Sequence, residues 1–480
     1  MSEAVLRFAP SPTGGFHLGN ARAALFNYLY AKRYGGKLLL RVEDTDRDRS
    51  TDSSLETILN GLQWLGIEFD GDPVYQSKQV NSHREAVEQL LESGHAYYAY
   101  ETPEELDSMR KAAKESNKRI QYNRDLSQTD REAFEKEGRD RVVRFKVPDG
   151  ETSWDDTIRG VQRWDNREIE DFVIQRSDGS PVYNLAVVVD DHNMGVTLVF
   201  RSADHLSNTP KQKMLFDALG WDVPAFGHST LILGSDGRKL SKRHGATTVT
   251  QYQERGFLPD AVFNYLALLG WTPGGGREIF TREELIDAFS VDGLLKKDAE
   301  FDEQKLLWLN GEHLRATGID VLYGQALDMW ISEGWTTAER ASSRQADLVK
   351  AVALMQPRLG TTHDFLTFGY IFDDPEDYDP KAKKKHWKTD SPQRIKTLIS
   401  RLEPLKEFDE VSIEGATRTL AGELGISTGK LIHPTRLAIS GVGHGPGLFE
   451  LMEVLGQEVC IQRMQTALAK LERETSVPTG

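Results

Sequence analysis

From residue 5 to residue 34 the chain reads as an apolar run, a glycine-rich turn and a helix. That order restricts it to folds in which a strand hands over to a helix at the end of a sheet. The apolar run covers residues 5–9. The helical spacing of Ala21, Ala24, Leu25, Tyr28 and Leu29 stops at Gly35-Gly36. Between them lies FAPSPTGGFHLGN, residues 8–20. Gly14, Gly15 and Gly19 remove bulk where a backbone has to approach a ligand, and the N-terminus of the following helix offers N–H groups and partial positive charge to a phosphate. His17 adds a side-chain donor and Asn20 completes the string.

A second string, RKLSKRHG at 238–245, sets Lys239, Lys242, Arg243 and His244 among Gly234, Gly237 and Gly245. Such a loop is free to close over an anion, and polyphosphate is the expected guest. Glycine-rich turns and basic loops are each common as plain structure, so it is their pairing, in this order, that carries information. Neither GxxxxGKS/T nor GxGxxG follows the first strand, which argues against a P-loop ATPase and a dinucleotide enzyme.

HLGN followed far downstream by KLSKR resembles the HIGH and KMSKS signatures of class I aminoacyl-tRNA synthetases. PSPTGGFHLGNARAALFNYLYAKRYGG, LRVEDTDRDRS, YNLAVVVDDHNMGVTLVFRSADHLSNTP and FLPDAVFNYLALLGW narrow the resemblance to bacterial glutamyl-tRNA synthetases. It runs through almost the whole chain and is densest before about residue 320.

The resemblance implies an α/β fold: a Rossmann-like parallel-sheet catalytic domain with an inserted connective domain, followed by all-helical stem-contact and anticodon-binding domains. The expected segments are 1–95 and 176–250 for the catalytic domain, 96–175 for an insertion holding the tRNA acceptor end, 251–318 for stem contact and 319–480 for the anticodon. The residue pattern agrees. A strand is expected at 38–42, a charged helix at 103–118 and β-like residues at 142–147. The α/β pattern resumes with the apolar runs 182–189 and 196–200 and a helix at 210–219 capped by Gly220, and helix dominates after 250.

At 480 residues, two to four units are expected, and 28% charged with 39% hydrophobic residues suits a globular protein. No apolar run approaches the roughly 20 residues of a membrane helix and the N-terminus lacks signal-peptide features, so a cytoplasmic protein is expected. Cys460 is the only cysteine, which excludes an internal disulfide. Some relatives hold zinc in the insertion through a Cys-x-Cys pair. Tyr98-Ala99-Tyr100-Glu101 stands here instead, and no zinc is expected. A net charge of −15 is unfavourable for RNA as a sum. Basic residues nevertheless cluster at Lys381, Lys383, Lys384, Lys385 and Lys388 around His386 and Trp387, with Arg394 and Lys396 beyond, as an RNA-facing patch or a solvated loop.

The implied chemistry is attack of a glutamate α-carboxylate on ATP, then transfer to tRNA(Glu). The expected catalytic residues are His17, Lys239 and Lys242, with Gly14, Gly19, Asn20 and Arg243 completing the ATP site and Mg2+ arriving with ATP. Arg7, Ser11, Glu43, Tyr183 and Arg201 fall on the family's glutamate-binding positions: Arg7 and Arg201 for carboxylate, Glu43 for the ammonium. Asp44 and Asp46 of EDTD suggest a metal out of context, but helix-start capping and polar support are preferred. Arg358, in MQPRLG, matches a family position that reads the anticodon, and Trp308 and Asn310 fall in the stem-contact region, with Trp308 open to a core role. A monomer without membrane attachment is expected. Alternatives are a glutaminyl enzyme, a non-discriminating enzyme that also charges tRNA(Gln), and an inactive tRNA-binding paralogue.

Overall fold

The computed structural model of the chain describes residues 3–45, 51–116 and 119–475. They form two compact units, Met1–Glu254 with Pro259–Leu306, and Arg255–Leu258 with Leu307–Gly480.

In the first unit β1 (Val5–Phe8) passes through the glycine-rich turn into α1 (Leu18–Tyr34) and returns as β2 (Lys37–Val42), parallel to β1 with Leu6 beside Leu38. Gly35 ends α1 in the left-handed region at φ 67, where a side chain would be strained. Helix α2 (Asp52–Trp64) starts at Thr51, whose side chain accepts from the Ser54 amide. The expected capping by Asp44 therefore belongs elsewhere. Its carboxylate accepts from the Ser77 amide at 2.7 Å and the Ser77 hydroxyl at 2.6 Å, supporting the turn after β3 (Val74–Tyr75). Asp46 lies outside the described residues.

After α3 (Val80–Glu92), strand β4 (Ala96–Ala99) leads to helices α4 (Pro103–Ser116) and α5 (Gln128–Lys136) and to β5 (Val142–Phe145). The hairpin β6 (Glu151–Asp156) and β7 (Gly160–Asp165) follows, then β8 (Val173–Gln175). Strands β4, β5 and β8 make an antiparallel sheet. Buried Asp171 ties it together by accepting from Tyr97, Arg119 and Arg124. At the expected position of a zinc ligand pair, Tyr100 instead donates to Glu135 at 2.9 Å.

The apolar run 182–189 forms most of helix α6 (Tyr183–Asn193), with Val182 as its N-cap. Leu185 through Asp191 are all buried, and a helix enclosed on every side carries the same unbroken apolar run as a buried strand. Strand β9 (Leu198–Ser202), helix α7 (Thr209–Leu219) ended by left-handed Gly220, and β10 (Ala225–Ser229) complete a second sheet in the order β7-β6-β10-β9. The parallel halves meet at β1 and β9: the Thr197 amide donates to the Val5 carbonyl and the Val5 amide to the Thr197 hydroxyl, both at 2.9 Å. Strand order thus reverses beside β1, and the crevice beyond the carboxyl ends of β1 and β9 is where open α/β sheets bind ligands. Short strands β11 (Ile232–Leu233) and β12 (Ala299–Glu300) pair in parallel. Helices α8 (Val249–Glu254), α9 (Pro259–Leu268) and α10 (Arg282–Ala288) lie between them in sequence.

The second unit is helical, and its longest described helix is Gln457–Thr475. Buried Arg463 donates to the carbonyls of Tyr370, Ile439 and Asp373, pinning the last helix to the end of helix Gly429–Ser440 and to the segment 370–373. Trp308, left open as a core residue, is 43% exposed, whereas Asn310 is fully buried and bridges the Leu258 amide and the Gly360 carbonyl. The lysine cluster forms the short helix Pro380–His386, in which His386 stacks on His433 with ring centres 4.3 Å apart.

Candidate active site

The crevice at the strand reversal holds a cavity of about 580 Å³, lined by the carboxyl ends of β1 and β9, the start of α1, and residues 239–241 and 247. Its size is within the range of small-molecule sites. The two signature strings meet there through the main chain. The Leu18 amide donates to the Thr247 carbonyl at 2.9 Å, and the Val249 amide donates to the Phe16 carbonyl at 3.0 Å. Gly15 permits the approach, since a Cβ there would sit 3.1 Å from the Thr248 methyl. His17 precedes the first turn of α1 and, with exposed Gly19 and Asn20, faces the cavity. Gly14 stands outside the lining.

Lys239 reaches the cavity and pairs with Asp204 at 2.6 Å. Burial works against charge on Asp204, but Lys239, Ser202 and His205 together outweigh it and leave the carboxyl below the usual range. Arg243 turns away, pairing with Asp236 at 2.9 Å, and is not a lining residue. The Lys242 backbone opens the turn Lys242–His244. The Lys242 side chain lies outside the described part of the structure. Gly234 makes room for the His244 ring, which a Cβ would approach to 2.6 Å.

The remaining expected residues, Arg7, Ser11, Glu43, Tyr183 and Arg201, all line the same cavity. Arg7, Glu43 and Arg201 are at most 9% exposed. Arg7 donates through Nε to Asp191 at 3.0 Å. Asp191 also binds Arg41 at 2.5 Å, and Arg41 binds Glu43 at 3.1 Å. Burial raises the Glu43 carboxyl, and Arg41 offsets only part of that rise. Burial likewise opposes charge on Asp191, but Arg41 and Arg7 hold it below the usual range. Burial brings Arg201 down to about 10, and burial with Glu43 nearby pushes the Tyr183 phenol up to about 12. Nη1 of Arg201 is buried with no hydrogen-bond partner among the described residues. A buried N–H left without a partner is an unfilled demand for an acceptor.

Several residues went unrecognised in the sequence. Asp191 and Arg41 hold Arg7 and Glu43 in place. His205, brought down to about 4 by burial and then by Arg201, is a neutral lining residue within 3.2 Å of the Tyr183 hydroxyl. Arg22 lines the cavity, but two of its nitrogens donate to the carbonyls of Leu269 and Thr230, so it braces the walls. His205 and Arg22 stand inside the quoted motifs, yet nothing in their spacing separates them from their neighbours.

In the second unit Arg358 is exposed on the turn Gln356–Arg358 and donates to the Leu354 carbonyl at 2.9 Å.

The chain was compared with known proteins. Residues 3–308 match the family of class I tRNA synthetases (E and Q), catalytic domain, and residues 322–468 match an anticodon binding domain family. Glutamate–tRNA ligase 1 of Caldanaerobacter subterraneus subsp. tengcongensis is 44% identical, covering 98% of this chain and 99% of that protein. Glutamate–tRNA ligase 1 of Methylorubrum extorquens is 42% identical, covering 97% and 99%. The crystal structure of a glutamate tRNA ligase from Elizabethkingia meningosepticum in complex with its amino acid superposes with a TM-score of 0.89 at 31% identity, over 98% of this chain and all of that one. With both regions matched and full-length relatives at this identity, the chain belongs to the glutamate–tRNA ligase family of class I aminoacyl-tRNA synthetases.

Proposed function

We propose that the chain activates L-glutamate with ATP to glutamyl-adenylate, releasing pyrophosphate, and then esterifies glutamate to the 3′-terminal adenosine of tRNA(Glu). The observation that carries this reading is that one cavity is lined by a helix start, His17, Lys239 and two buried arginines, Arg7 and Arg201.

The first step needs no general base, because the α-carboxylate is already ionised at neutral pH. Its oxygen bonds to the α-phosphorus as the bond to pyrophosphate breaks, so the chain has to align two anions and stabilise the charge on the phosphates. His17 and the first turn of α1, with Gly19 and Asn20 leaving space, suit the nucleotide, and Lys239 and the Lys242 loop supply cations. Magnesium would enter with ATP. Glu43 and Asp204, the carboxylates among the lining residues, are both ion-paired, so ATP itself would supply most ligands. In the second step a ribose hydroxyl attacks the mixed anhydride and AMP leaves.

Arg201 and Arg7 would grip glutamate's carboxylates, and Glu43 its ammonium. A guanidinium with an unfilled N–H distinguishes glutamate from glutamine, since the neutral amide cannot complete a charge-assisted pair. Ser11 and Tyr183 would complete the amino-acid contacts. Arg358 would favour tRNA(Glu) over tRNA(Gln) by reading a base edge. We further assign residues 96–175 to the acceptor end, and the protein to the cytoplasm as a monomer.

The test is to incubate the purified protein with ATP, labelled glutamate or glutamine, and purified tRNA(Glu) or tRNA(Gln). Glutamate on tRNA(Glu) with no glutamine incorporated supports the reading. Labelling of both tRNAs with glutamate makes the enzyme non-discriminating, and no labelling in any arm contradicts catalysis.

A further inference from the structure

Arg201 does not hold its own orientation. Its Nε–H points at His228 Nε2, 3.2 Å away, and Nη2 donates to the Thr209 hydroxyl at 2.9 Å. Thr209 in turn lies 3.0 Å from His228 Nε2. An arginine only donates, so Nε2 must present its lone pair, and the imidazole proton must sit on Nδ1. Nδ1 meets Asp156 Oδ2 at 2.5 Å. His228 and Thr209 are completely buried, and Asp156 is 2% exposed.

The other oxygen of Asp156 is equally committed. Oδ1 accepts from the backbone amides of Ile158, Arg159 and His228 at 3.1, 3.0 and 3.1 Å. Three amide donors fix Oδ1 as an acceptor, and Oδ2 is left to receive the imidazole proton. Asp156 comes from hairpin β6–β7, and it stands beside Phe226 where β6 joins β10. Burial, helped by Arg201 and Arg159, depresses the basicity of His228 more than Asp156 restores it, consistent with a neutral ring.

We propose that Asp156 and His228 form a relay that fixes the Arg201 guanidinium for glutamate, making them positioning residues for amino-acid selection. Asp156 sets the His228 tautomer, and the tautomer decides whether Arg201 meets an acceptor or a second donor. The proposal rests on the reading that Arg201 grips glutamate. It adds that selection depends on a residue of a different strand that never touches the ligand.

Asp156→Asn is the sharp test. The three amides hold the Asn carbonyl in the place of Oδ1, so its NH2 faces Nδ1, drives the proton to Nε2 and opposes it to Arg201 Nε–H. Aminoacylation kinetics should show KM for glutamate rising roughly 10- to 100-fold, the worth of a hydrogen bond to a charged group, with KM for ATP unchanged. His228→Gln, whose amide both accepts and donates, should raise it less than His228→Leu. Combining Asp156→Asn with Arg201→Gln should add nothing to Arg201→Gln alone. Circular dichroism and melting curves accompany each variant. The relay is overturned if folded Asp156→Asn keeps its glutamate KM while Arg201→Gln loses it, if both substrates weaken equally, or if the double variant is additive. An unchanged glutamate KM in Arg201→Gln overturns the underlying reading instead.

Discussion

The Leu18 amide and the Thr247 carbonyl, 2.9 Å apart, join the end of one signature string to the segment just after the other. The bond fixes the start of α1 against the chain leaving the basic loop, and both Leu18 and Thr247 line the cavity. Local main-chain pairing thereby assembles a site from distant sequence.

Gly19 faces open space within the cavity, and a Cβ there would meet nothing of the protein within 4 Å. Gly19→Ala should therefore leave stability unchanged or raise it by up to about 1 kcal/mol through helix propensity. It should nevertheless raise KM for ATP several-fold by filling nucleotide space. Thermal melts beside ATP kinetics check both halves.

Lys239 and Asp204 make an exposed pair, and such pairs contribute about 0–1 kcal/mol. Lys239→Ala should melt like the parent, and its kcat for aminoacylation should fall at least tenfold if the ammonium stabilises charge mainly in the transition state. Stopped-flow or steady-state kinetics with a parallel melt would show the separation.

Asp191 of helix α6 is the anion shared by Arg7 of β1 and Arg41 of β2. Asp191→Asn leaves two buried guanidinium groups short of charge and should cost about 3–5 kcal/mol, measurable by urea denaturation. KM for glutamate should rise as well, because Arg7 loses its anchor.

Acid should unfold the first unit through the same groups. Asp156, Asp171 and Asp191 all lie below the usual carboxylate range, because hydrogen bonds and arginines or His228 outweigh burial. A depressed folded pKa gives stability that is present above the unfolded value of about 3.9 and lost as pH falls through the lower folded value. Denaturation free energy should hold above about pH 4 and decline below it, and Asp191→Asn should flatten that decline.

What could be read in advance follows from physical range. The strand–helix–strand opening was legible because residue type and local spacing carry it, whereas Arg7, Ser11, Glu43, Tyr183 and Arg201 came from the match to the family motifs, and the fold brings all five to one cavity. Asp156 pairs with His228 across 72 positions and Arg7 with Asp191 across 184, and no local pattern marks a partner that far away. Helix α6 was obscured for a different reason. Burial on all sides erases the alternation that separates strand from helix, so the apolar run 182–189 alone does not say which of the two it forms. Arg243 looked like a phosphate ligand by charge alone, and its direction toward Asp236 depends on the turn around Gly237.

The most direct test of a converged nucleotide site is a double-mutant cycle of His17→Ala and Lys239→Ala, read as kcat/KM for ATP during tRNA(Glu) aminoacylation. Two groups acting on one transition state predict a coupling of 1 kcal/mol or more by order of magnitude, the double variant losing less than the sum of the singles. Losses that add to within about 0.5 kcal/mol would contradict a shared site.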